Sequence, residues 1–314
     1  MLSRVSTVRA IGVGELARFD ELDPGARIGE DLAAAWADGS SRPEWTLVAE
    51  VDGRPMARGA LVVEPTGGGV EALEGTAAFL WADVAHPDHP DALKAVLDGL
   101  ADRLRRFEPT TLNRRLNRER HADIDRMRTL LEHAGFSLLQ EKEGFGWSPD
   151  LPVPPASGRL AVRSLGEIGV DAYRDVMAAA TAGTLDRNDR YYVELCGPTP
   201  WATEMLGYRE PEDDDSWLIG CLPNGAPVGY VAVSALGEAE TWTIVHIGVV
   251  PEHRGHGYVR DLLAAADVVA RRRSFTAGLS DVDVENAPMM AAMAWAGHRP
   301  DLRRWHIWHY RRVV

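Results

Sequence analysis

Between Val249 and Leu263 the chain reads VVPEHRGHGYVRDLL, where Gly255 and Gly257 flank a histidine directly after Arg254. A glycine corner of this kind, set between a strand and a helix, gathers unpaired backbone amides at the positive end of a helix dipole. Such a place binds anions, phosphates above all. Glycine lets the backbone take positive φ and approach a ligand closely, and Arg254 adds a fixed charge with several donors. The competing reading is an ordinary strand-to-helix turn with solvated polar residues. No Gly-Lys-Ser/Thr follows, so the corner is not a mononucleotide P-loop, and the GxGxxG spacing of dinucleotide sites is absent.

The elements around this corner have their own signals. Ile244–Val250, IVHIGVV, is apolar on both faces, as a central strand is. Beyond the corner, Val259, Leu262, Leu263, Ala266 and Val269 recur at helical spacing. Upstream, Trp217–Ser234 (WLIGCLPNGAPVGYVAVS) alternates around Asn224-Gly225, a hairpin signal. The first half contains a counterpart, Trp45–Val63 (WTLVAEVDGRPMARGALVV), turning at Asp52-Gly53. Two further correspondences keep the same order: Asp83–His89 with Gly248–His253, and His133–Phe136 (HAGF) with Trp295–His298 (WAGH). Together they predict a tandem duplication of a mixed α/β domain, with halves at 1–150 and 159–314. The joining segment, 151–158, lies in the Pro/Ser-rich stretch SPDLPVPPASG, which cannot be helical. Asp171–Gly207 reads as irregular between helical pieces, a covering loop or lid.

The same residues carry a family resemblance. VVPEHRGHGYV resembles motif A of the GNAT superfamily of N-acetyltransferases, whose core is Arg/Gln-x-x-Gly-x-Gly/Ala; Arg254, Gly257 and Val259 fall on those positions, and valine departs from the pattern at the last. Ser280–His298 is similar to the family's next strand and helix, with Asn286 in place of the motif-B asparagine. The resemblance implies two tandem GNAT-like domains of mixed α/β sheet, with acetyl-CoA as acyl donor in the second. The pantetheine arm would pair with main chain at Gly248, Val249 and Val250. The pyrophosphate would rest on the amides of Gly255, His256, Gly257, Tyr258 and Val259, and Asn286 would bond the pantetheine amides. In the first half the positions of Arg254, Gly255 and Gly257 are taken by Pro90, Asp91 and Leu93, which predicts a degenerate domain without a phosphate site.

Acyl transfer to an amine needs the amine neutral and a proton returned to the thiolate. The resemblance places a carboxylate base at Thr243 and an acid at Met293, and neither residue can serve. His246 is the titratable residue within the strand, a base only if a bulge turns it from its expected face; otherwise it is structural. Asp281 and Asp283 alternate on the strand across the cleft and can bind or deprotonate an amine, Asp281 being the better exposed if Asp283 is tied up. The acidic run REPEDDD (Arg209–Asp215) either attracts a polycation or is a solvated loop, and Tyr191, Tyr192 and Trp201 either wall an acceptor site or pack.

A formal net charge of −13 argues against a nucleic-acid surface and is consistent with a cationic amine acceptor. It also disfavours an aminoacyl-tRNA-dependent transferase, another class that pairs two such domains. Lys94 and Lys142 are the only lysines among 34 basic residues, a bias we attribute to a GC-rich genome. Cys196 and Cys221 are the only cysteines, too few for a disulfide framework or a Cys-rich zinc site. No metal is expected. The sequence lacks a signal-peptide core and any apolar run of about 18 residues, which predicts a cytoplasmic protein with no membrane partner, monomeric or homodimeric. The expected function is N-acetylation of a small-molecule primary amine. The alternative is an acyl-CoA-binding pseudoenzyme acting as sensor or scaffold.

Overall fold

A computed structural model describes residues 7–22, 28–63, 78–83, 91–104, 110–117, 128–129, 132, 136–210, 213–236 and 240–310. The chain divides into two compact units, Met1–Leu139 with Trp305–Val314 and Gln140–Arg304.

Unit 1 contains β1 (Thr7–Ala10), α1 (Leu16–Asp20), α2 (Ile28–Asp38), β2 (Thr46–Val51), β3 (Arg54–Val63), β4 (Ala78–Asp83), α3 (Asp91–Leu104) and β5 (Thr110–Asn117). The strands lie in that order, antiparallel until the parallel pair β4/β5. The β2–β3 hairpin turns where the sequence signals it: Asp52 and Gly53 both have positive φ (50° and 76°), as a two-residue type I′ turn requires. The correspondences at residues 84–90 and 133–135 lie outside the described residues.

Unit 2 takes the Gln140–Trp147 part of β6 (Phe136–Trp147), then β7 (Ala161–Ser164), α4 (Leu165–Ile168), α5 (Val170–Ala180), α6 (Arg187–Cys196) and α7 (Pro198–Leu206). There follow β8 (Trp217–Cys221), β9 (Pro227–Ala235), β10 (Thr241–Val249), α8 (Tyr258–Arg272), β11 (Ala277–Asp283), α9 (Ala287–Trp295) and the opening residues of β12 (Arg299–Tyr310). From β6 the sheet runs β6-β11-β10-β9-β8-β7, with β10/β11 parallel and the other pairs antiparallel. Strand alternation sends Val231 and Val233 of β9 against Leu262, Ala266 and Val269 of α8. It sends Tyr230 and Ala232 the other way, into a cluster with Tyr173, Met177, Trp201 and Trp217.

The two units repeat one motif: a hairpin, a strand, a crossover helix and a parallel strand (β2-β3-β4-α3-β5 and β8-β9-β10-α8-β11). In each, the parallel pair is joined by two register positions, Ala78↔Thr110 and Phe79↔Thr111 in unit 1, Thr241↔Ala277 and Trp242↔Gly278 in unit 2.

Two expectations are corrected. The compact units do not divide at 151–158. The Gln140–Trp147 strand pairs with β11 from Lys142↔Asp283 to Trp147↔Gly278, so unit 2 begins before the Pro-rich stretch. That stretch is non-helical, and it is strapped along α8: Arg271 donates to the carbonyls of Pro149 and Leu151, and the Ser157 amide donates to Asp261. Asp171–Gly207 is also not irregular. It forms α5, α6 and α7, because Asp186 caps α6 by accepting from the Asn188 and Asp189 amides and Pro198 starts α7, where a missing N–H costs nothing.

Candidate functional site

After two rungs of parallel pairing, β10 and β11 separate. The Ile244 amide is met by the Ser280 hydroxyl instead of a backbone carbonyl. Below the split lies a cleft lined by Gly183, Thr184, Ile247, Gly248, Val249, Arg254, Gly255, Gly257, Tyr258, Val259, Asn286 and Met289. The sequence corner therefore opens into a cavity. Gly255 and Gly257 have φ of 80° and 78°, and Gly257 is the N-cap of α8. Among the described residues, the Gly255, His256 and Gly257 amides donate to no backbone carbonyl, and those of Tyr258 and Val259 open a helix, where no intrahelical partner exists.

A diphosphate-bearing cofactor fits this donor set, and Gly248 is required by packing behind it: a Cβ there would lie 2.9 Å from the Tyr230 ring and 3.0 Å from Ala180. The Val250 amide goes to Val228, so by antiparallel alternation the Val249 amide is the one facing the splayed side. Val250 itself is buried, and His256 is exposed, its carbonyl accepting from Arg159. Asn286 caps α9 with its side-chain oxygen, accepting from Met289, and lines the cleft. The expectation for Arg254 changes. Its guanidinium donates to the carbonyls of Val249, Gly183 and Ala180, so it ties the α5–α6 loop to the corner and its charge is not aimed at an anion.

A second pocket adjoins the first, sharing Thr184, Ile247, Asn286 and Met289 with it. It gathers Asp186 and Asp189 from the start of α6, Thr243 and His246 from β10, Asp281 and Asp283 from β11, Lys142 from β6, and Met293. The register of β10 against β9 skips between Ile244 and His246, and Thr243 and His246 line the same pocket. Both His246 nitrogens are committed: Nε2 contacts Asp189 Oδ2 at 2.7 Å and Nδ1 contacts the Tyr230 hydroxyl, while the Trp201 ring stands edge-on at 4.9 Å. In the neutral ring Nε2–H donates to Asp189 and Nδ1 accepts from Tyr230. Burial alone would depress the His246 pKa, but the Asp189 carboxylate outweighs it and the net direction is upward. His246 is thus a held group with no nitrogen left for an amine.

Asp283 is also corrected as a base. Its side chain is fully buried and accepts from the Arg187 amide, Nε and Nη2, from Gln140 Nε2 and from the Glu285 amide. Burial works to raise its pKa, but these donors, Arg187 first, bring it below the usual value. Asp281 is partly exposed and pairs with Lys142 Nζ at 2.7 Å. Burial would lower the Lys142 pKa, yet the charges of Asp281, Asp186 and Asp189 raise it, so the ammonium stays charged. In the acidic run, Asp213 is buried against Ser234 and Arg273, and Asp214 pairs with Arg209. Residues 211–212 lie outside the described set. Trp201 packs behind His246.

Asp186, Asp189, Lys142, Tyr230 and Arg187 escape sequence reasoning. The start of α6, DRND, does carry an N-cap signal that could have placed Asp186. Among the described residues no group of three or more His, Cys, Asp or Glu is placed to hold a metal ion, and no helix is long and apolar enough to cross a membrane.

Residues 186–297 match the family described as Acetyltransferase (GNAT) family. No curated protein matches. Solved structures are similar over nearly the whole chain at low identity. A GCN5-related N-acetyltransferase from Sphaerobacter thermophilus is 17% identical, with 98% of this chain and 96% of that one covered and a TM-score of 0.62. A tandem GNAT protein from the clavulanic acid biosynthesis pathway is 15% identical over 98% and 99%, with a TM-score of 0.52. A GCN5-related N-acetyltransferase from Kribbella flavida is 15% identical over 90% and 95%, with a TM-score of 0.51. The family segment, residues 186–297, contains the splayed strands, the glycine corner and most of the acidic pocket, and over nearly its whole length the chain shares the fold of GNAT structures, a tandem GNAT protein among them.

Proposed function

We propose that unit 2 transfers an acetyl group from acetyl-CoA to the primary amine of a small cationic molecule. The observation that carries this reading is the union of two unlike pockets at Thr184, Ile247, Asn286 and Met289. One offers undonated amides at a helix N-terminus to a diphosphate. The other offers carboxylates to an ammonium. Where they meet, a thioester and an amine can be held together, and positioning of that kind supplies much of the rate in transfer reactions. The backbone edge at Val249, the amides from Gly255 to Val259 and the Asn286 amide would hold the coenzyme; its thioester supplies the acyl carbon.

The test has two arms. Acetyl-CoA at about 100 times its Kd should raise the Tm by roughly 5 °C, and Gly257→Asp should abolish the shift. Aspartate, which like asparagine can adopt the φ of 78° held there, opposes the phosphate charge. Gly257→Asn tolerates that φ without charge and should retain part of the shift. A full shift in Gly257→Asp would remove the proposed phosphate site. The second arm measures thiol release with spermidine, kanamycin, lysine and a peptide with a free N-terminus. A thermal shift without thiol release from any of them would favour the binding-only alternative.

A further inference from the structure

Thr243 cannot act as a base, His246 has both nitrogens engaged, Asp283 is saturated by donors and Asp281 is paired with Lys142. Of the pocket's two remaining carboxylates, Asp189 is bonded to His246, which leaves Asp186. We propose that Asp186 is the general base that takes the proton from the acceptor ammonium, with Asp189, bonded to His246, beside it. The assignment rests on the transferase reading above.

The geometry separates the two oxygens of Asp186. Oδ1 accepts from the backbone amides of Asn188 and Asp189 in the first turn of α6, which fixes the carboxyl in place. Among the described residues Oδ2 has no hydrogen-bond partner, and the side chain lines the acidic pocket two residues after Thr184, where that pocket meets the coenzyme cleft. The loop that presents it is fastened on both sides. Arg254 binds the carbonyls of Ala180 and Gly183, and Arg187 bridges to Asp283 and Glu285. A base so placed is pre-positioned without needing the substrate to order it.

Its electrostatic surroundings suit the task. The groups facing it are Asp189 on its own helix, Lys142 from β6 and His246 from β10, with Asp281 from β11 lining the same pocket. Burial first and the Asp189 charge second raise the Asp186 pKa from its ordinary value, against the pull of Lys142. Two neighbouring carboxylates in unequal environments divide the labour: one takes the proton and the other binds the ammonium. Asp189, bonded to His246, fills the second role and attracts the ammonium.

The step balances. The ammonium gives one proton to Asp186. The freed lone pair forms the C–N bond to the acyl carbon as the C–S bond breaks, and the second N–H proton goes to the departing thiolate, leaving amide and free thiol. A lysine-like amine, with a pKa near 10.4, is almost wholly protonated at pH 7, so the base matters most at neutral pH and least at high pH.

The experiment compares wild type with Asp186→Asn. Asparagine caps a helix as well as aspartate does, so α6 and the acetyl-CoA thermal shift should be kept. With whichever of the four amines above the wild type acetylates, kcat should fall roughly 100- to 1,000-fold at pH 7. The deficit should shrink as pH rises towards the pKa of the amine. A variant within twofold of wild type at pH 7, or a raised KM with kcat kept, overturns the base assignment and leaves the transferase reading standing. A wild type that turns over none of the four amines overturns both.

Discussion

His246 and His298 lie in one unit, yet the fold displaces their pKa values in opposite directions. His298 is 3% exposed, stands edge-on to Trp242 and has no partner for Nδ1 among the described residues. Burial pushes it down to about 4, against a weaker upward pull from Asp267. The unfolded chain therefore binds a proton below about pH 6.5 that the folded chain refuses until about pH 4, and stability falls across that window by up to about 3 kcal/mol. His246 has a raised value, so its contribution is complete below about pH 6.5 and is lost as pH rises through the folded pKa. Urea unfolding of His298→Leu at about pH 7 and about pH 4.5 should show a smaller loss on acidification than wild type; equal losses would refute the buried neutral imidazole. Residues with local chemistry were legible in the sequence. Gly255 and Gly257 announce positive φ by type, and Asn286 by its place before a helix. Asp186 was hidden because its character depends on Asp189, Lys142 and His246, which come from three separate elements.

At the scale of elements, the site depends on α6 being docked against the end of β11. Arg187 achieves this with three of the donors on Asp283, whose side chain has no exposure. Arg187→Ala would keep the backbone amide contact but leave a buried carboxylate short of its countercharge, which costs about 3 kcal/mol or somewhat more. Asp283→Asn in the same chain should recover part of that loss, because the charge is then gone while the one remaining oxygen still accepts from the Glu285 amide. Denaturant midpoints of the two variants test this, and a double variant no more stable than Arg187→Ala would contradict the ion-pair explanation. The hairpins and the motif strand could be read from the sequence because turn residues and alternation are local signals. The helices across 171–207 could not be read from alternation or apolar period. They are defined by caps, and α6 has its polar residues engaged by groups on β10 and β11.

At the scale of the molecule, the same hairpin, strand, crossover helix and strand occur twice, but among the described residues one copy has a glycine-led crossover helix that opens on a cleft. In unit 2 the crossover helix begins after a glycine held at φ 78°, with amides open to a cleft. In unit 1 it begins with Asp91, and Leu93 is fully buried in the core, so its first turn offers a carboxylate where the other offers free amides. A diphosphate brought to that turn meets like charge at the one end of a helix that otherwise favours anions. The repeated backbone therefore keeps the sheet while the two helix starts differ, and a fold and the site it bears are separable. Titration calorimetry of the full chain should accordingly give one acetyl-CoA per polypeptide. Gly257→Asp should bring the stoichiometry to zero and leave no weaker second event. Two equivalents in the wild type, or one surviving in Gly257→Asp, would show that unit 1 retains a coenzyme site despite Asp91.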